Sequence, residues 1–204
     1  MIKKLIIQNI DKFAKPQSFT VTENQHLIII LLATKAANYS LKIMLAGGGA
    51  EADILGIVLG RDKNEVRINT LQDHQAPNTR SNLLIKSALS DRSKFFYEGF
   101  IKVEREAQRT DAYQRNENLM LSSEAKAESK PALEILANDV RCTHSATIGK
   151  VDQEQLFFLE SRGLNEKNAT LMIIPGFFKV IMDKIDDKDI VISLERKIQS
   201  VLFK

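Results

Sequence analysis

The segment NDVRCTHSATIGK, Asn138 to Lys150, carries the chain's single cysteine, Cys142, with His144 two residues beyond it. Thiolate and imidazole are both ligands for iron, zinc and copper. A protonated imidazole beside a thiol also lowers the thiol's pKa and activates it as a nucleophile. Cys142 and His144 are therefore candidates for metal or sulfur binding and, separately, for nucleophilic catalysis. A third reading assigns them no chemistry, because free cysteine is among the most buried residue types and a core imidazole can bond to backbone.

Strand geometry narrows the choice. The segment reads as a strand, where side chains at i and i+2 share a face roughly 7 Å apart. Val140, Cys142, His144, Ala146 and Ile148 then line one face, and Arg141, Thr143, Ser145 and Thr147 the other. Side chains held parallel suit joint ligation better than an in-line proton transfer. A cysteine hydrolase, which also needs a base in reach and an oxyanion hole, ranks below ligation. One thiol and one imidazole make half of a four-coordinate site. The other half has to come from a second chain or an exogenous ligand.

The elements around this strand are mostly more strands. Up to about residue 150 the chain is a series of strand-length apolar segments, among them HLIIILLA, YSLKIMLA, ADILGIVLG, EVRINTL, NLLIKSAL and KFFYEGFIKVE. Turn signals recur at Gly47-Gly48-Gly49, Asp62-Lys63-Asn64, Ala76-Pro77-Asn78 and Lys130-Pro131. No long helical pattern separates the strands, which argues against an alternating βαβ fold. An antiparallel sandwich and a coil of stacked rungs both remain, and the lack of Asn-Gly or Asp-Gly hairpin turns favours rungs.

The pattern changes at Asp152. Asp152 with Gln155 resembles a capping box, and Gly163 suits a helix C-terminus. Asn165 caps a second predicted helix with Leu171, Ile174 and Phe178 at helical spacing. A third, about Lys188 to Leu202, places Ile190, Leu194, Ile198 and Val201 on one face. The expected organisation is an all-β body over residues 1–150 and a helical domain over 151–204.

Composition sets bounds on partners. The chain has 204 residues, 44% hydrophobic and 27% charged, ordinary for a soluble globular protein of one domain or one domain with an appendage. A net charge of +3 from 29 basic and 26 acidic residues, with no basic block, points to no nucleic-acid face. The apolar run Leu27–Ala33 is far short of the roughly 18 residues that cross a bilayer, so no membrane partner is expected. No signal peptide is read at the start. A lone cysteine forms no internal disulfide, which implies a reducing compartment, the cytoplasm.

Three stretches carry a family resemblance: AQRTDAYQRNENLMLS (Ala107 to Ser122), KPALEILANDVRCTH (Lys130 to His144) and ATIGKVDQEQLFFLESRG (Ala146 to Gly163). In order and spacing they resemble the SufB/SufD family of iron–sulfur cluster assembly scaffolds, SufD more than SufB. The resemblance implies a mainly β protein, a right-handed parallel β-helix followed by a small C-terminal helical domain. It implies pairing through the last rungs with a SufB-like protein or a second copy, and docking of a SufC-like ATPase on the helices. Cys142 and His144 fall on the family's Cys-x-His, at the dimer face, where they would handle iron or a transient iron–sulfur cluster without catalysing a reaction. Whether flavin takes part is left open. The alternative is a reduced structural homodimer without cluster chemistry.

The chain departs from the family in several places. Members usually begin with a further helical domain, and this chain starts directly with strands. Ser145 stands where glycine is common, and the cluster-building cysteine of SufB has no counterpart. Pro175 sits inside the second predicted helix, so a kink or break is expected just before it. The polar residues Gln108, Asp111, Gln114, Asn116 and Asn118 are expected to satisfy rung turns. His26 and His74 are expected at the surface or in turns.

Overall fold

The computed structural model describes residues 2–12 and 15–202. Eleven strands run in order: β1 (Ile2–Asn9), β2 (Gln17–Val21), β3 (Gln25–Ala33), β4 (Ala37–Leu45), β5 (Glu51–Gly60), β6 (Glu65–His74), β7 (Arg80–Leu89), β8 (Lys94–Val103), β9 (Thr110–Met120), β10 (Lys126–Ile135) and β11 (Val140–Lys150). The odd strands form a 6-stranded sheet in the order β1-β3-β5-β7-β9-β11, and the even ones a 5-stranded sheet in the order β10-β8-β6-β4-β2. Each strand lies beside the one two positions further along the chain, and the pairings between neighbours are parallel. The antiparallel sandwich is thereby excluded, and the fold is a parallel β-solenoid followed by helices.

Recurrent turns explain why the chain coils. Each passage from the even sheet into β3, β5, β7 and β9 uses a residue with positive φ, namely Asn24, Gly49, Asn78 and Arg109. Asp62 and Asp91 do the same in the passages into β6 and β8. Asn, Asp and Gly tolerate this left-handed conformation, which accounts for the turn signals in the sequence. Lys130-Pro131 is a correction: it lies within β10, not in a turn. The amides of Lys126 and Leu136 donate to the carbonyls of Ser93, just before β8, and Val103, so alternation turns the nitrogen of Pro131 to the free edge. No ladder bond is lost there, and an edge strand is where a proline is tolerated.

Two apolar layers result. Between the sheets, Ile29, Leu31, Ile43, Ile54, Ile68 and Phe95 belong to one buried cluster. On the outer face of the odd sheet, Ile28, Ile30, Leu55, Ile57 and Leu84 are covered by helices. Strands buried on both faces lack polar alternation, which is the physical reason for the run LIIILLA.

The covering elements are α1 (Gln153–Glu160), α2 (Glu166–Met182) and α3 (Lys188–Leu202). Asp152 caps α1 by accepting from the amides of Glu154 and Gln155, Asn165 caps α2, and Gly163 has φ +91 between the two. Ile174, Phe178 and Ile181 of α2, with Leu194 and Ile198 of α3, complete the outer layer. The break expected at Pro175 does not occur, since α2 runs through it. Burial of Ile174 and Phe178 on either side offsets an interior-proline penalty of about 3 kcal/mol.

Candidate functional site

Among the described residues, β11 closes the odd sheet and pairs only with β9, so its other edge is free of them; β10 ends the even sheet in the same way. The last rung is thus uncovered. Cys142 lies in register with Ala112, and His144 with Gln114. Ala112 and Gln114 are buried inward-facing residues of β9, so Cys142 and His144 share the inner face, as strand alternation requires. Their environments differ. Cys142 is half-buried against the cluster of Ile101, Val103, Ala107, Ala112 and Ala137, whereas His144 is exposed.

The thiol's chemistry follows from its surroundings. Burial pushes the Cys142 pKa up; a hydrogen bond with the Ala112 backbone opposes this, and the negative charge of Asp111 adds to the rise. A thiol with a raised pKa stays protonated at neutral pH, so Cys142 is not an activated nucleophile. Cys142 thus lacks the lowered pKa by which a cysteine hydrolase activates its nucleophile. Among the described residues, no three His, Cys, Asp or Glu side chains converge as a metal site. One imidazole and one soft sulfur donor, open on one side, fit part of an iron or cluster ligand set and need a covering molecule for the rest.

The outer face of the same strand is polar. Arg141 pairs with Asp111 at 2.6 Å, and this contact holds the Asp111 carboxyl below the usual carboxylate range. Ser145 points outward, its hydroxyl 3.3 Å from that of Tyr113. The extra side chain at this position therefore adds a hydroxyl to the outer face and leaves the inner face unchanged.

Several polar residues lie elsewhere than expected. Gln108 does serve a turn, accepting from the amides of Asn138 and Asp139. Gln114, Asn116 and Asn118 are not turn residues; they project inward from β9 and are buried. His74 is also a correction: it is fully buried in the lumen, with its ring nitrogens 2.7 Å from the Thr79 and Ser81 hydroxyls. Burial pushes its pKa down to about 4, with the charge of Asp73 opposing. His26 is partly buried and meets Asp53 at 2.6 Å.

An ionic group under α2 had no clear sign in the sequence. Lys86 and Glu117, neighbours in register on the outer face, pair at 2.6 Å, and Arg115 also binds Glu117. The Lys86 ammonium lies 4.0 Å from the centre of the Phe177 ring on α2. Burial raises the Glu117 pKa, but Lys86 and Arg115 together outweigh it and hold the carboxylate charged. The only hint was a lysine within the apolar strand NLLIKSAL.

Residues 21–177 match the family model described as the SUF system FeS cluster assembly, SufBD core domain. This chain belongs to the SufBD family. It is 32% identical over 190 residues to the iron-sulfur cluster assembly protein SufD of Escherichia coli (strain K12), covering 86% of this chain and 44% of that protein. A SufBD family protein of Mycobacterium leprae (strain TN) is 34% identical over 166 residues, covering 78% of this chain and 42% of its own length. The SufD of Bacillus subtilis (strain 168) is 30% identical over 159 residues, covering 76% and 36% respectively. This SufBD chain thus spans less than half the length of these relatives. Its match includes β11 and therefore Cys142 and His144.

Proposed function

We propose that this SufBD protein is a non-catalytic scaffold subunit in iron–sulfur cluster assembly. The observation that carries the reading is the uncovered last rung, which presents Cys142 and His144 together on its inner face. In this reading a SufB-like chain or a second copy covers that rung and supplies the missing ligands, and the cluster is transient cargo, not a resident cofactor. The large apolar side chains Ile135, Leu136 and Ile148 are exposed at the same end, as a protein-covered surface requires. A SufC-like ATPase docks on the helices, where Phe157, Phe158 and Met172 are exposed. No described helix is long and apolar enough to cross a membrane, and the reading places the complex in the cytoplasm.

His144→Ala is expected to lower cluster formation in cells while leaving the unfolding transition unchanged, because the imidazole is exposed. Reconstitution with iron and sulfide under anaerobic conditions, together with the partner chain, is expected to give visible absorbance that a Cys142→Ser/His144→Ala double variant loses. Normal cluster formation by both variants would refute the assignment.

A further inference from the structure

The lumen between the two sheets turns polar toward its uncovered end. Most of its polar side chains are paired, His74 with Thr79 and Ser81, and Thr70 with Tyr97. Gln114 is not. It is 1% exposed, yet neither its amide nitrogen nor its amide oxygen has a hydrogen-bond partner among the described residues. The hydroxyl of Ser129 on β10 is likewise sealed from solvent and unpaired.

Register puts these two groups on the inner faces of neighbouring rungs. The Gln114 amide reaches across the lumen to Gly99 on β8, where an added Cβ would collide with both it and the Tyr97 hydroxyl. Ser129 lies one rung above Tyr97, and His144 one rung above Gln114, on the same inward face. Absence of a side chain at Gly99 thus provides the room for the amide beneath the last rung.

Buried polar atoms are rarely left unpaired, so the missing partner must match them. Gln114 offers a free donor and a free acceptor from the same amide, and the Ser129 hydroxyl can play either role. An anion would satisfy only donors and a cation only acceptors. A neutral ligand that both donates and accepts, and is small enough to lie between packed strands, is water.

We propose that Gln114 and Ser129 form a site for bound water in the lumen beneath the last rung, and that through this water Gln114 is a positioning residue for the His144 imidazole one rung above. A hydrogen bond to one ring nitrogen decides which nitrogen carries the proton and which is free to ligate. The positioning role rests on the function proposed above for His144; the hydration site does not.

The test uses the 204-residue chain, labelled with nitrogen-15, in solution. Nuclear Overhauser transfer from water to the Gln114 side-chain amide protons is expected, and it weakens in Ser129→Ala. In Gln114→Leu the tautomer ratio of the His144 imidazole shifts, and the unfolding temperature falls because a bound-water network is lost. The opposite pattern refutes the proposal: assigned Gln114 amide protons with no transfer from water, or a Gln114→Leu variant that melts higher and leaves His144 unmoved. Should Gln114→Leu fail to fold, the water transfer in the unmodified chain and its change in Ser129→Ala decide alone. Normal cluster formation in His144→Ala would remove the functional reading while leaving the water signal in place. A missing water signal overturns the hydration site whatever the cluster assay shows.

Discussion

Acidification is expected to destabilise this solenoid well before its carboxylates titrate, through one buried histidine. His74 is enclosed between the sheets with its ring nitrogens against the Thr79 and Ser81 hydroxyls, and burial brings its pKa from 6.5 to about 4. The unfolded chain therefore binds a proton at 6.5 that the folded chain refuses until about 4. Between those values the unfolded state holds more protons, so stability falls as pH falls. Each tenfold difference in proton affinity between the two states is worth about 1.4 kcal/mol, so the cost accumulates to about 3 kcal/mol at pH 4 relative to neutral pH. A domain of ordinary stability, about 5–15 kcal/mol, loses a sizeable share of its margin. Urea unfolding followed by circular dichroism at closely spaced pH values between 7 and 4 measures the slope directly. His74→Gln keeps hydrogen-bonding capacity without a titrating ring. It is expected to flatten the slope in this window and to cost about 1–3 kcal/mol at neutral pH from imperfect pairing. A variant that keeps the unmodified slope would show that His74 is not its source, and the burial argument would fail.

Two further outcomes follow from the helices and the layer beneath them. Lys86→Ala leaves Glu117 buried with only Arg115 opposite it, and is expected to destabilise the protein by about 3 kcal/mol; adding Glu117→Gln should recover part of that in chemical denaturation. Pro175→Ala restores an amide within an unbroken helix at an exposed position, and is expected to stabilise by up to about 3 kcal/mol. Thermal unfolding of that variant measures the gain, and an unchanged midpoint would mean that α2 has adjusted fully to the ring.

The coil was legible because its turns are chemically marked. Gly49, Asp62 and Asn78, read as turn signals, are residue types that accept positive φ, and the absence of tight hairpin dipeptides agreed with parallel stacking. Alternation alone placed Cys142 and His144 on a shared face. The helix caps at Asp152 and Asn165 were legible for a similar local reason. What escaped depends on residues distant in sequence. Gln114, Asn116 and Asn118 read as residues that satisfy rung turns, because the polar lumen they face is defined only by the neighbouring rungs. His74 looks like a turn histidine until the following strand brings Ser81 beside it. The continuity of α2 through Pro175 is decided by the sheet against which Ile174 and Phe178 pack, so tertiary burial overrides local propensity there.

The proline in β10 has a consequence for how any molecule could extend this protein. A strand added alongside β11 meets an unbroken row of main-chain donors and acceptors. A strand added alongside β10 meets a gap at Pro131, and must either bulge there or leave one of its carbonyls unanswered. The two sides of the open end are therefore unequal. A newcomer can zip fully along one sheet and can only lean against the other, a built-in asymmetry that leaves the β10 side easier to prise apart.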